Sequence, residues 1–216
     1  MAYRIVNMAE DPRSGQFAYF RAMADPWAGI TVPVDITAFY NALDGRPFFL
    51  SFLYALTRAA NAVPELRRRL LNGQVVEFDR CNPSYTAMKD SGVYVYCLVD
   101  SGTLPYEDFV REGKRKQAEA LEKDELKETG DSLNHFFVSC LPWLPYTQIQ
   151  HPSVSRDDSN PRFSWGKFTK ENGRVTLPVS LFINHALADG WHVTQFYRNL
   201  DRELAELARY FQSKDQ

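Results

Sequence analysis

Cysteine is scarce: Cys81, Cys97 and Cys140 are the three found in 216 residues. An odd, sparse set cannot build the disulfide framework of a small secreted domain, which points to a reduced, cytoplasmic protein. No stretch approaches the roughly 20 apolar residues that a membrane span needs. The start, Met1-Ala2-Tyr3-Arg4-Ile5-Val6, lacks the apolar core and the small-residue cleavage site of a signal peptide. Neither charge is in excess, with 25 Lys and Arg against 27 Asp and Glu. That balance excludes nucleic acid or an anionic membrane as the expected main partner. The basic runs Arg67-Arg68-Arg69 and Lys114-Arg115-Lys116 lie in helical patterns that also carry Glu, and read as solvated helix faces. There is no internal repeat, no low-complexity linker and no break in composition, so residues 1–216 read as a single domain. A content of 44% hydrophobic and 14% aromatic residues can fill one sizeable core.

The N-terminal half reads mainly as helix. Asp11-Pro12 pairs an N-cap residue with a proline suited to the first helical position, opening a helix through about Met23. Asp35 caps a short helix that Asp44-Gly45 stops, and Arg46 to Ala62 is apolar on nearly all sides, as in a buried helix. Strand patterns follow at Gln74 to Phe78, Ser84 to Lys89 and Val93 to Val99. Pro105 to Thr129 is a long charged helix. Three further strands are expected near His135 to Ser139, Arg162 to Thr169 and Arg174 to Asn184. A last helix starts near Trp191, with Val193, Phe196, Tyr197, Leu200, Leu204, Leu207 and Phe211 on one stripe. Without regular βαβ alternation, the expected fold class is α/β (α+β): a two-layer sandwich on a mixed β-sheet. Leu144 to Pro161, rich in Pro, Ser, Asp and Gln, reads as an irregular loop of the length that often carries function.

The segment richest in chemistry is Ile183-Asn184-His185-Ala186-Leu187-Ala188-Asp189-Gly190-Trp191-His192-Val193. It puts His185 at the end of a strand, ahead of a turn at Asp189-Gly190 and then a helix. An imidazole in that place can accept a proton from a hydroxyl. Other readings compete. His135, His151 and His192 fit ordinary structural histidines. His185, Asp189 and His192 have the spacing of a metal site on one helical face, against which Gly190 argues for a turn, so no metal is expected. Asp189 could orient His185 as in a hydrolase triad, but that needs a nucleophile, and the chain has no G-x-S-x-G elbow.

His185-x-x-x-Asp189-Gly190 followed by Trp191-His192-Val193 resembles the signature of chloramphenicol acetyltransferases. Further segments agree in order: Val34 to Phe39; Pro64 to Arg67, then Asn72-Gly73, Asp79, Asn82-Pro83 and Tyr85-Thr86; Phe137 to Trp143, with its Ser-x-x-Pro-Trp element; and Trp165-Gly166-Lys167-Phe168. The H-x-x-x-D-G core alone is less specific, because dihydrolipoyl acyltransferases and peptide-synthetase condensation domains share it. The chain shows no lipoyl domain, linker or second half to match those relatives.

The resemblance implies a homotrimer with sites at subunit interfaces, and acetyl-CoA as co-substrate for a small-molecule hydroxyl acceptor, chloramphenicol or a related compound. It implies His185 as general base in direct transfer, with the imidazole tautomer set by its own carbonyl. Ser139 is implied as oxyanion donor, and Ser164 as the hydroxyl that holds a water near the same oxyanion. Asp189 and Arg13 are implied as a structural pair, and Lys167 and Phe168 as contacts to the 3′-phosphate and adenine of coenzyme A. Cys140 reads as a buried small residue, and Trp143 and Trp165 as core aromatics. Two positions depart from the family pattern. Asn184 replaces a histidine, and Gln148-Ile149-Gln150-His151-Pro152-Ser153 stands where the antibiotic enzymes carry an apolar Phe-x-Leu-Asn element. A serine or cysteine hydrolase, and a non-catalytic trimeric binding protein of the same fold, remain the alternatives.

Overall fold

The computed structural model describes residues 2–100, 104–123 and 132–214. Its strands are β1 (Tyr3–Val6), β2 (Trp27–Asp35), β3 (Arg68–Leu71), β4 (Gln74–Phe78), β5 (Asn82–Met88), β6 (Tyr94–Leu98), β7 (His135–Cys140), β8 (Arg162–Trp165), β9 (Thr169–Glu171) and β10 (Arg174–Asn184). Its helices are α1 (Ser14–Arg21), α2 (Thr37–Asn41), α3 (Phe48–Asn61), α4 (Tyr106–Leu121) and α5 (Gly190–Lys214). Seven strands form the main sheet, ordered β2-β10-β8-β7-β5-β6, with β9 paired to β10. The β5–β7 and β7–β8 pairs are parallel and the others antiparallel. This is the expected mixed sheet. A smaller sheet, β1-β4-β3, stands beside it.

Alternation along the central strands sorts the two faces. Phe136, Phe163, Trp165, Val179 and Leu181 point to a core shared with α3 and α5. The ring of Phe163 lies 5.1 Å from Phe196 on α5, and Trp165 lies 4.9 Å from Phe52 on α3. The α5 stripe is as read from the sequence: Phe196, Leu200, Leu204, Leu207 and Phe211 are buried, with Val193 and Tyr197 packed against the core. The opposite strand positions (Ser139, Ser164, Ser180) are polar and fall in one row across β7, β8 and β10.

Several expectations are corrected. The N-terminal half is not mainly helical, because β1, β2 and β3 were not anticipated. Gly29 and Pro33 disguise β2 as non-strand. Yet β2 is the outermost strand of its sheet, where a missing amide is tolerated. Gly29 is needed because it pairs with Phe182, whose ring would stand 2.3 Å from a Cβ. Arg68 and Arg69 are not on a solvated helix face but on β3 and buried. The Arg69 guanidinium donates to the carbonyls of Leu66, Arg68, Leu133 and His135, which meets the demand that a buried polar group be bonded. Lys114 and Arg115 are exposed on α4, as expected. That helix ends at Leu121, short of the expected Thr129, and residues 124–129 of the expectation lie outside the described residues. Trp165 is a core residue, whereas Trp143 is 64% exposed.

The strand expected from Arg162 to Thr169 breaks in two at Gly166-Lys167-Phe168. There the Gly166 amide donates to Pro178 O and the Lys167 amide to Leu144 O, at 3.1 and 2.8 Å. A Cβ on Gly166 would meet Leu144 O at 2.5 Å and the Tyr146 ring at 2.9 Å. The backbone oxygen cannot swing aside as a side chain could. Gly166→Ala is therefore expected to destabilise the fold by about 1–3 kcal/mol, as overpacking does. Urea denaturation would measure it; an unchanged midpoint would mean the loop at Leu144 moves freely.

Candidate functional site

His185 follows the last residue of β10, and its amide donates to Pro26 O at 2.7 Å. Asn184 shapes the turn beyond it. Its side-chain carbonyl accepts from the Ala186 amide, its backbone carbonyl from Leu187 and Ala188, and its amide nitrogen donates to Asp158 O. The histidine that the family pattern has at this position is thus replaced by a residue that caps the turn and ties it to the 144–161 loop. Asp189 Oδ1 then accepts from the Trp191 amide at 3.0 Å and caps α5.

Arg13 reaches this turn from just before α1. Its Nε donates to Asp189 Oδ2 at 3.0 Å, its Nη1 to Ala186 O and its Nη2 to His185 O, both at 3.3 Å. The expected Arg13–Asp189 pair is therefore present and also grips the backbone of His185. Asp189 meets His192 as well: Nδ1 lies 2.8 Å from Oδ1, and Nε2 faces Glu65 at 3.7 Å. Burial pushes the Asp189 carboxyl up, but His192, the Trp191 amide and Arg13 outweigh it and hold the group below its ordinary value.

The His185 ring stacks on Phe20 of α1, with centroids 3.8 Å apart and planes inclined by 22°. Its Nδ1 is buried with no hydrogen-bond partner among the described residues, so the expected bond to its own carbonyl is not formed, and that carbonyl accepts from Arg13 instead. Nε2 is thereby left as the nitrogen available to a cleft of about 440 Å³ lined by Gly29, Ile30, Ile183, Val193, Thr194 and Tyr197. Asp189 does not touch the ring, so it does not orient His185 as a triad aspartate would. Among the described residues no three His, Cys, Asp or Glu side chains converge on one point.

The serines lie elsewhere. Ser139 and Ser164 are register partners on β7 and β8, and Ser164 pairs in turn with Ser180 on β10. Ser139 Oγ has no hydrogen-bond partner among the described residues. Ser164 is fully buried, and its Oγ lies 2.7 Å from His151 Nε2. Sequence reasoning missed that contact, because it treated His151 as one more structural histidine in an irregular loop. Burial, then the Arg162 charge, pushes the His151 imidazole down to about 4. Five residues of strand separate Ser180 from His185, or about 17 Å at the usual rise, and two strand spacings separate Ser180 from Ser139. One chain thus leaves His185 and Ser139 roughly 20 Å apart, far beyond hydrogen-bond reach.

Lys167 and Phe168 occupy the break between β8 and β9. Lys167 is exposed and makes no ion pair among the described residues. Phe168 is half-buried against Tyr40 and Phe48, at 5.0 and 5.7 Å. Lys170, which the sequence reading passed over, places Nζ 4.1 Å from the Tyr40 ring centre. The same Nζ lies 5.6 Å from the Phe168 ring centre. Cys140 is half-buried, and burial pushes its thiol up to about 12.

The Arg13 clamp gives a prediction. Asp189 has its carboxyl held low, so the stabilisation exists above the ordinary carboxylate range and is lost as pH falls through the folded value. At neutral pH, Arg13→Ala should cost about 1.5–3 kcal/mol, the range for hydrogen bonds to charged groups. That lowers the melting temperature by several degrees in a chain this long. The loss should shrink in acid; a pH-independent loss would mean that Arg13 acts through packing alone.

The profile of the family described as chloramphenicol acetyltransferase matches residues 1–201. A chloramphenicol acetyltransferase of Escherichia coli is 27% identical over 203 residues, covering 93% of each chain. Chloramphenicol acetyltransferase 2 of Escherichia coli is 29% identical over 192 residues, covering 87% of this chain and 90% of that one. A solved chloramphenicol acetyltransferase superposes with a TM-score of 0.85 at 26% identity, covering 94% of this chain and 100% of that one. A probable dihydrolipoamide acetyltransferase from Listeria monocytogenes shares the fold, with a TM-score of 0.67 at 14% identity over 94% of this chain and 93% of that one. The chain belongs to the chloramphenicol acetyltransferase family and is an acyltransferase.

Proposed function

We propose that the protein moves an acetyl group from acetyl-CoA to a hydroxyl of a small molecule, by direct transfer, with His185 as general base. The observation that carries this reading is the placement of His185: the residue lines the cleft, its Nδ1 is buried without a partner, and its backbone is held by Arg13. His185 Nε2 takes the acceptor's hydroxyl proton as that oxygen bonds to the thioester carbonyl carbon. Ser139 Oγ–H donates to the oxyanion that forms, supported by Ser164. The C–S bond then breaks, the carbonyl re-forms, and His185 returns the proton to the departing thiolate. Lys167 and Phe168 meet the 3′-phosphate and adenine. Acetyl-CoA turnover, followed as thiol release across a panel of hydroxylated acceptors, tests the activity directly. A panel on which no acceptor raises thiol release above background would reject it.

Residues 1–216 act as one domain in a homotrimer, with each site shared between neighbours. Support comes from the roughly 20 Å between base and oxyanion donor within one chain, which a second copy can close. The same separation tells against a hydrolase built on Ser139 and His185, and the raised Cys140 thiol against one built on cysteine. A scaffold without turnover would have no physical need of a clamped, cleft-facing imidazole. The chain acts in the cytoplasm; among the described residues no helix is long and apolar enough to cross a membrane.

Sharing makes a sharp prediction. His185→Ala should lower kcat by about 10²–10⁴, and Ser139→Ala by about 10²–10³, with no acetyl group appearing on the enzyme. Unfolded together and reassembled, the two inactive variants should regain turnover at least about tenfold above either alone, because some mixed sites hold both groups. Light scattering should give a trimer mass. Absence of recovery from correctly sized mixed trimers would place both groups in one chain's site.

The acceptor side is expected to differ from that of the antibiotic enzymes. Gln148 and Gln150 are exposed and His151 is half-buried on the loop that crosses the polar row. Apolar walls replaced by amides grip an aryl ring less well, at about 1–3 kcal/mol per lost contact. Chloramphenicol should therefore be acetylated with an ordinary KM for acetyl-CoA but an acceptor KM at least about tenfold above that of a dedicated resistance enzyme. An acceptor KM as low as such an enzyme's would show that this loop does not line the pocket.

A further inference from the structure

Ser164 carries a hydroxyl with nowhere to go but along the sheet face. It is fully buried. Its register partner on one side, Ser180, is already engaged: the Ser180 Oγ lies 2.7 Å from Thr31 Oγ1 and 3.0 Å from Tyr146 OH. Its register partner on the other side, Ser139, has an uncommitted Oγ. The remaining neighbour is His151, at 2.7 Å through Nε2.

The loop holds this imidazole in place from both ends. Tyr146 is tied to Ser180 on the near side, and on the far side Asp158 pairs with Arg162 and accepts from the Val154 amide. The His151 ring stands 6.2 Å from Phe182, and its low basicity beside Arg162 keeps it neutral at working pH. A neutral imidazole has one N–H and one lone pair. If Nε2 accepts, Ser164 spends its proton on His151 and turns lone pairs towards the forming negative charge. If Nε2–H donates, the Ser164 proton is free for the Ser139 side.

We propose that His151 is a positioning residue of the acetyl transfer: its Nε2–H donates to Ser164 Oγ, so that the Ser164 proton is not spent on His151 and stays available on the Ser139 side, where the oxyanion forms. This rests on the reading of Ser139 as oxyanion donor. A hydroxyl oriented towards the forming negative charge acts in the transition state, so the effect falls on kcat rather than on coenzyme A binding.

The test compares His151→Phe with His151→Gln, whose amide can offer an N–H close to the Nε2 position, at saturating acceptor. His151→Phe should lower kcat about tenfold, the worth of one hydrogen bond, with the KM for acetyl-CoA unchanged. His151→Gln should recover most of it, and His151→Phe should add nothing in a Ser164→Ala background. A wild-type kcat in His151→Phe, or losses that multiply in the double variant, would overturn the inference. Nitrogen chemical shifts of His151 in the intact wild-type protein decide independently of whether the variants fold: protonation at Nε2 is expected, and at Nδ1 overturns it. Should Ser139→Ala itself keep full turnover, the reading of the site fails, whatever the His151 variants do.

Discussion

A single guanidinium ties the reactive turn to the rest of the molecule. Arg13 engages each of its three guanidinium nitrogens, on the Asp189 carboxylate and on the carbonyls of Ala186 and His185. Polar contacts continue outward: Asp189 meets His192, the His192 Nε2 faces Glu65, and Glu65 pairs with Arg68. Arg68 also meets Asp11 and Glu77, and Glu77 meets Arg4. Desolvating so many charges is costly, and such a chain holds only while each member keeps its partner. What it provides is registration. The start of α1, the small sheet and the start of α5 are joined around the turn. Phe20, carried on α1, is thereby laid against the His185 ring.

The second constraint is the polar row on the side of the main sheet away from the helices. Strand alternation gives β8 and β10 one apolar face for the helices, and leaves Ser164 and Ser180 on the other. That face is crossed by the 144–161 loop, which brings Tyr146 and His151 onto it. Arg162 stacks over Trp27, its charge centre 4.4 Å from the ring centre, and holds Asp158. The clamp at one end of β10 and the row across its middle are rigid with respect to each other because one strand carries both. In the proposed trimer that rigidity fixes the distance at which a neighbour must present the missing half.

Much of this was legible in the residues themselves. The 3.6-residue stripe from Val193 to Phe211 marked α5. Asn72-Gly73 and Asn172-Gly173, which the strand reading did not use, both adopt positive φ, as tight hairpin turns demand. The Arg13–Asp189 pair and the register of Ser139 with Ser164 agree with the positions that the family resemblance singled out. Other features had no local signature. Gly29 and Pro33 hid β2, because their tolerance depends on an outer strand and on the Phe182 ring opposite. Arg69 read as surface because nothing in a basic run announces four carbonyls converging on one side chain. His151 was opaque for the same reason, since its meaning lies in a serine thirteen positions away on another element. Local pattern reports periodicity and turn chemistry; it does not report what a loop is folded onto.

Cys140 adjoins Ser139 at the end of β7, and burial pushes its thiol up to about 12. In the proposed reaction every cycle liberates a thiol at the residue before it, while the Cys140 side chain packs against the core. Mixed disulfides form by thiolate attack, and a group kept protonated at cellular pH supplies almost no thiolate. The enzyme can therefore carry a cysteine next to its oxyanion donor without being capped by its own spent carrier when the surroundings turn oxidising.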